Sequence, residues 1–233
     1  MNRNVLTYGM TLYVEDIGKA FHTLADWGLA LGNNNYISEP EMETNYIDVP
    51  YRNGLLDAST AITGRPIWKT RELSFVLGVK AKDKLDLDVA ISNLRNLLNG
   101  RICQITLDND LDYYWRGRVF IIDFDRFQKL GQFVLSVPKA EPYKYKRELT
   151  TIKKSISSSG SIVVLPGTMP AVPTFKVTNL IGNSITMAYK GTNYSLVSGT
   201  NKFPEVIVND IETITLTFSG SATIEMTYRE GSL

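Results

Sequence analysis

Four stretches in the last third of the chain alternate apolar and polar residues with a period of two. They are Phe175/Val177, Ile185/Met187/Tyr189, Ile214/Leu216/Phe218 and Ile224/Met226/Tyr228, interleaved with Thr, Lys, Ser and Glu. Alternation of this kind buries one face of a strand and leaves the other in water, so this part of the chain reads as all-β. The pairs Gly182-Asn, Lys190-Gly, Ser198-Gly, Asn209-Asp and Ser219-Gly fall between or beside these runs and read as turns. Short strands spaced by such turns predict a small β-sandwich.

Charge divides the chain. Of its 25 basic and 24 acidic residues, only 12 lie beyond residue 147, where Trp, His and Cys are absent. The joint is Pro- and Lys-rich (Pro138-Lys-Ala-Glu-Pro142-Tyr-Lys-Tyr-Lys) and then Ser-rich (Ser155-Ile-Ser-Ser-Ser-Gly160). Two domains are expected, 1–147 and 148–233. In the first, Leu73, Phe75, Leu77 and Val79 alternate as a strand. One strong helix follows, over about 84–99. Asp83 can cap it, Asp86 favours its first turn, and Leu87, Ala90, Ile91, Leu94 and Leu98 recur at helical spacing before Asn99-Gly100. Strands resume at 101–107, 118–124 and 132–137, giving a mainly β domain with one α-helix. Residues 28–70 read as a long loop, of the kind that acquires order from a partner.

The 233 residues are 43% hydrophobic with a formal charge of +1, which excludes disorder and gives no basic excess for gripping nucleic acid. One cysteine excludes an internal disulfide framework and a multi-cysteine metal site. The opening Met1-Asn-Arg-Asn-Val-Leu-Thr-Tyr lacks the apolar core of a signal peptide, and no run is long enough to span a membrane. The reading is of a chain made in a cytoplasm, without membrane insertion.

Candidate chemistry is thin. His22 and Cys103 are unique and could in principle pair, but Cys103 shares a strand face with Ile105 and Leu107, and His22 has no acidic partner nearby in sequence. Asp108-Asn-Asp110-Leu-Asp112 begins like a calcium loop, yet Tyr113 stands where Gly is needed and Val119 where Glu is needed. No nucleophile elbow, P-loop, dinucleotide fingerprint or HExxH occurs. No catalytic residue, cofactor or metal is therefore assigned, and the chain does not read as an enzyme. Tyr113-Tyr-Trp-Arg116-Gly-Arg118 could stack bases or sugars, but a hairpin whose aromatics pack into the domain core or a subunit contact explains it better. Trp68, Lys69 and Arg71, in the 55–71 loop, are the candidate subunit contacts, an aromatic among basic residues in a long loop. The competing reading is that Trp68 covers its own domain's core.

Several short motifs occur in a fixed order. His22-Thr-Leu-Ala-Asp-Trp-Gly-Leu comes first, then Ile47-Asp-Val-Pro with Gly54-Leu-Leu-Asp-Ala-Ser, and Thr63-Gly-Arg-Pro-Ile-Trp-Lys-Thr-Arg-Glu-Leu-Ser-Phe. Asp108-Asn-Asp-Leu-Asp-Tyr-Tyr-Trp-Arg-Gly-Arg, Glu141-Pro-Tyr-Lys, Pro166-Gly-Thr-Met-Pro-Ala-Val-Pro-Thr-Phe and Ile224-Glu-Met-Thr-Tyr-Arg-Glu-Gly-Ser-Leu follow. Over nearly its whole length the chain resembles the distal tail protein (Dit) family of long-tailed, non-contractile bacteriophages. The resemblance implies a structural virion protein at the tail tip: a homohexameric ring, single or stacked, joining the tail tube protein to the tail-associated hub protein. It implies a tail-tube-like N-terminal domain that builds the ring and a galectin-like C-terminal β-sandwich, which in some relatives holds receptor-binding proteins or baseplate parts. The 86 residues after position 147 leave no room for an inserted carbohydrate-binding module. One departure is Tyr51, where the family usually has glycine after Val-Pro. The alternative function is a carbohydrate-binding adhesion module acting through the C-terminal sandwich.

Overall fold

In a computed structural model, described for residues 8–127 and 129–233, the chain is 53% strand and 9% helix. Most of the opening segment, read above for signal character, lies outside the described residues. The chain divides into two compact units, Met1–Lys144 and Tyr145–Leu233.

Unit 1 opens with β1 (Met10–Val14), β2 (Lys19–His22) and a five-residue helix α1 (Thr23–Trp27), then β3 (Ala30–Leu31) and β4 (Tyr36–Ile37). Two further short strands, β5 (Tyr46–Ile47) and β6 (Leu56–Asp57), precede β7 (Arg71–Lys80) and the long helix α2 (Lys84–Leu98). Then come β8 (Ile102–Leu107), β9 (Tyr113–Arg118), β10 (Phe120–Phe127) and β11 (Leu130–Ala140), while β12 (Lys144–Lys146) straddles the division. Within the unit one sheet runs β9-β8-β1-β2 and another runs β10-β11-β7-β3, with β4 also on β7. The inward residues of the two sheets form one core, from Met10, Leu12, Cys103, Ile105 and Trp115 on one side to Leu73, Phe75, Phe133 and Leu135 on the other. The helix α2 adds Leu87, Ile91, Leu94 and Leu98 to that core; its N-cap Asp83 accepts a hydrogen bond from Asp86 N. The sequence reading missed α1 and took 118–124 as one strand. Arg118 instead ends β9, Val119 is a buried corner, and Phe120 begins β10 in the other sheet.

Unit 2 contains β13 (Thr150–Ile156), β14 (Ser159–Val164), β15 (Thr174–Tyr189), β16 (Thr192–Leu196), β17 (Gly199–Lys202), β18 (Ile214–Tyr228) and β19 (Gly231–Ser232). Expected breaks near Gly182 and Ser219 are bends within single long strands. The first half of β18 pairs with β14 and with the second half of β15, whose outer neighbour is β16. The second half of β18 pairs with β13 and with the first half of β15, whose outer neighbour is β17. Register shifts between Thr178 and Thr186 re-aim β15, and Gly220, at φ 130°, lets β18 turn where its backbone passes Ile185. Folding both strands over lays one half-sheet on the other. Phe175 and Phe218, from opposite halves, meet edge to face with ring centroids 6.5 Å apart. Lys190 and Gly191, both at positive φ, make the two-residue turn that returns β15 into β16.

Phe218 is fully buried in this core. Phe218→Ala is expected to cost unit 2 about 3–5 kcal/mol, read by denaturant unfolding. Val163→Ala, on the exposed face of β14, should change stability by less than about 0.5 kcal/mol.

Candidate assembly surface

Residues 36–74 form a ribbon that leaves β7 rather than a loop. Tyr36 and Ile37 pair with Ser74 and Leu73, Met42 bridges Trp68, and Tyr46 and Ile47 pair with Asp57 and Leu56. Backbone bonds connect these steps: Lys69 N to Glu41 O at 2.8 Å, Glu43 N to Ile67 O at 2.8 Å and Ala58 N to Asn45 O at 2.8 Å. Near the far end, Ser59 donates through both Oγ and N to Asp57, which holds that carboxyl below its ordinary value. Backbone bonds hold the ribbon together in steps, while its apolar side chains are left uncovered. Tyr46, Ile47, Leu55 and Ile67 are exposed, Ile62 is 97% exposed and Tyr51, at the tip with φ 63°, fully so. A two-stranded ribbon without a packed face is marginal by itself, so these side chains suit a covering surface.

The sequence candidates divide here. Trp68 is half-buried and Lys69 exposed, both at the base of the ribbon. Arg71 departs from the expected loop: it is the first residue of β7, 5% exposed, with its guanidinium carbon 4.7 Å from the Trp115 ring centroid. Its inward position follows from β7's alternation, which places it on the face of Leu73 and Phe75.

On the sheet of β9, β8 and β1, Arg116 makes a two-pronged contact with Glu15, Nε to Oε1 at 2.7 Å and Nη2 to Oε2 at 2.8 Å. It also donates to Glu141, and Gln104 donates to Glu15 at 3.0 Å. The fork of Arg116 holds the Glu15 carboxyl below its ordinary value, and the carboxylates push the Arg116 guanidinium up.

His22 does have an acidic partner, supplied by the fold across 86 residues: Nε2 lies 3.0 Å from Asp108 Oδ1. Nδ1 accepts from Ala25 N at 3.1 Å as the cap of α1, so Nε2 carries the proton given to Asp108. Asp108 Oδ2 also accepts from Gly9 N at 2.7 Å. Cys103 is fully buried, and burial pushes its thiol up to about 12, so the two unique residues serve packing and capping separately. Asp110 pairs with Lys144 at 2.6 Å, and among the described residues no group of three or more His, Cys, Asp or Glu could hold a metal ion. Tyr114 and Trp115 are buried. In unit 2, Phe175, Tyr189, Phe218 and Tyr228 are buried and Tyr145, Tyr194 and Phe203 partly so. Among the described residues no helix is long and apolar enough to cross a membrane.

No protein-family model matches the chain, and no curated protein does. Among solved structures, the crystal structure of SPP1 Dit (gp 19.1), described as a paradigm of the hub adsorption apparatus in phages infecting Gram-positive bacteria, aligns with a TM-score of 0.65. The alignment covers 94% of this chain and 98% of that one at 15% identity. The chain has the Dit fold. The likeness of fold extends through both units.

The Glu15 contact fixes a pH dependence. A carboxyl held low in the folded state stabilises it above the ordinary value of 4.5 and loses that effect as pH falls through its lower folded value. Wild-type unit 1 should therefore melt progressively lower below pH 4.5. Glu15→Gln should melt below wild type at pH 7, and the two curves should converge in acid.

Proposed function

We propose that the chain is a structural component of a phage tail, the distal hub protein. Six copies form a ring at the tail tip, placed between the tail tube and the tail-associated hub protein in an assembled virion. The observation that carries this reading is the fold match over almost the full length of both chains. The ribbon supports it, because a closed ring needs two unlike surfaces on each subunit, and an arm with uncovered apolar side chains is one such surface. Trp68 and Lys69, at its base, are proposed to touch the neighbouring copy. The bulged edge strand β10, with Asp123 and Asp125 along it, is blunted against unplanned strand pairing, which leaves the arm as the selective contact. Unit 1 builds the ring in this reading, and the galectin-like sandwich of unit 2 contacts baseplate or receptor-binding components.

Light-scattering mass of the purified chain, with negative-stain images, tests the proposal. Annular particles of six or twelve subunits are the expected result; a chain that stays single and forms no complex with tail tube or hub protein would overturn it. The arm makes a second prediction. Replacing Tyr51 and Ile62 together by Ser should leave the melting of the single chain within about 0.5 kcal/mol of wild type, as for exposed sites, and should abolish the annular particles.

A further inference from the structure

Among the described residues Arg71 is the only buried charged side chain. It stacks on Trp115, yet its Nε and Nη2 are buried with no hydrogen-bond acceptor. Buried donors without acceptors are rare in folded proteins, and one on a cation is costly.

Its place in the ribbon suggests what completes it. Ser38 N donates to Glu72 O at 2.9 Å and Lys69 N to Glu41 O at 2.8 Å, and between these bonds the ladder is interrupted. The interruption holds Glu39 and Pro40 on one strand and Thr70 and Arg71 on the other; Pro40 has no N–H to give. Counting inward from both bonds sets Glu39 opposite Arg71, and the Glu39 charge is felt at the guanidinium against the effect of burial. Glu39 itself is exposed and makes no hydrogen bond or ion pair among the described residues. The point where the arm joins its unit therefore carries a buried cation with idle donors and, across from it, a hydrated carboxylate.

We propose that Glu39 and Arg71 form a latch at the root of the arm, open in the single chain and closed when a second copy of the chain covers the root. In the single chain water solvates Glu39, and pairing with a surface carboxylate gains little. Covering the root removes that water, so an unpaired carboxylate becomes costly and its attraction to the guanidinium strengthens. The idle Nε and Nη2 donors then receive the carboxylate as a charge-assisted pair, fixing the direction in which the arm leaves. The latch rests on the ring reading, since assembly is what covers the root.

The test uses the full chain with Arg71→Met, Glu39→Gln and the double variant. Melting is measured on dilute single chain, and sedimentation gives the concentration at which half the chain is assembled. Arg71→Met is expected to melt no lower than wild type, because an apolar side chain replaces an unpartnered buried cation. Each single variant should raise the half-assembly concentration by about tenfold, and the double variant by no more than either alone, because one pair is lost in all three. Unchanged assembly in either single variant, or additive effects in the double, would overturn the latch. So would Arg71→Met melting well below wild type, which would mean that the guanidinium is already satisfied in the single chain. Should Arg71→Met not fold, Glu39→Gln decides the matter, since its site is exposed. A wild-type chain that never assembles defeats the ring reading itself, whereas a wild-type ring indifferent to both substitutions defeats the latch alone.

Discussion

The backbone ladder along β7 is the interaction on which unit 1 depends. One edge of this strand pairs with β11 from Lys80 to Leu73, and the other is shared in turn by β3 and β4. Its inward residues Leu73, Phe75 and Leu77 sit in the core between the sheets. Beyond Ser74 and Leu73 the pairing of β4 with β7 continues through Ser38 N to Glu72 O and, after a gap, to the Met42–Trp68 bridge, so the chain runs on as a ribbon. The arm is thus a continuation of the central strand's own hydrogen bonding, which anchors it at one end while its apolar side chains stay uncovered.

What could be read from sequence depended on how local the signal was. The α2 pattern, Asp83 cap and Leu73–Val79 alternation are properties of neighbouring residues, and the structure repeats them closely. The alternations of unit 2 were also legible, but their joining was not. A glycine-containing pair between two alternating runs signals a turn and a bend alike, and only pairing with β14 and β13 distinguishes them in β18. The arm was read as a loop because β5 and β6 are two residues each, too short for any period to show. The His22–Asp108 contact joins residues 86 apart through strand register, which no spacing reveals. Arg71 misled for the opposite reason: its charge spoke for the surface, while the period of β7 placed it inside.

The uneven distribution of charge along the chain has a structural counterpart. In unit 1 charged groups link segments distant in sequence, as Arg116 of β9 does between Glu15 and Glu141, which follow β1 and β11. In unit 2 the outward positions carry hydroxyls and amides, with Ser155 and Asn179 both meeting Thr223. Its main charged cluster lies at one end, where Lys146 and Thr150 both bond to Glu230. A sandwich whose inner faces are filled by Phe175, Met187, Phe218 and Met226 has little need of ionic links on its outside.

The bent strands β15 and β18 have a mechanical consequence. In a sandwich whose sheets are built from separate strands, tension can peel one sheet and leave the other standing. Here each half-sheet contains a portion of both long strands, so a pull that strips β18 from β13 travels through Gly220 into the half that pairs with β14. Rupture becomes a single event, and the unit meets sudden tension as one brittle block in place of two layers that could slide apart.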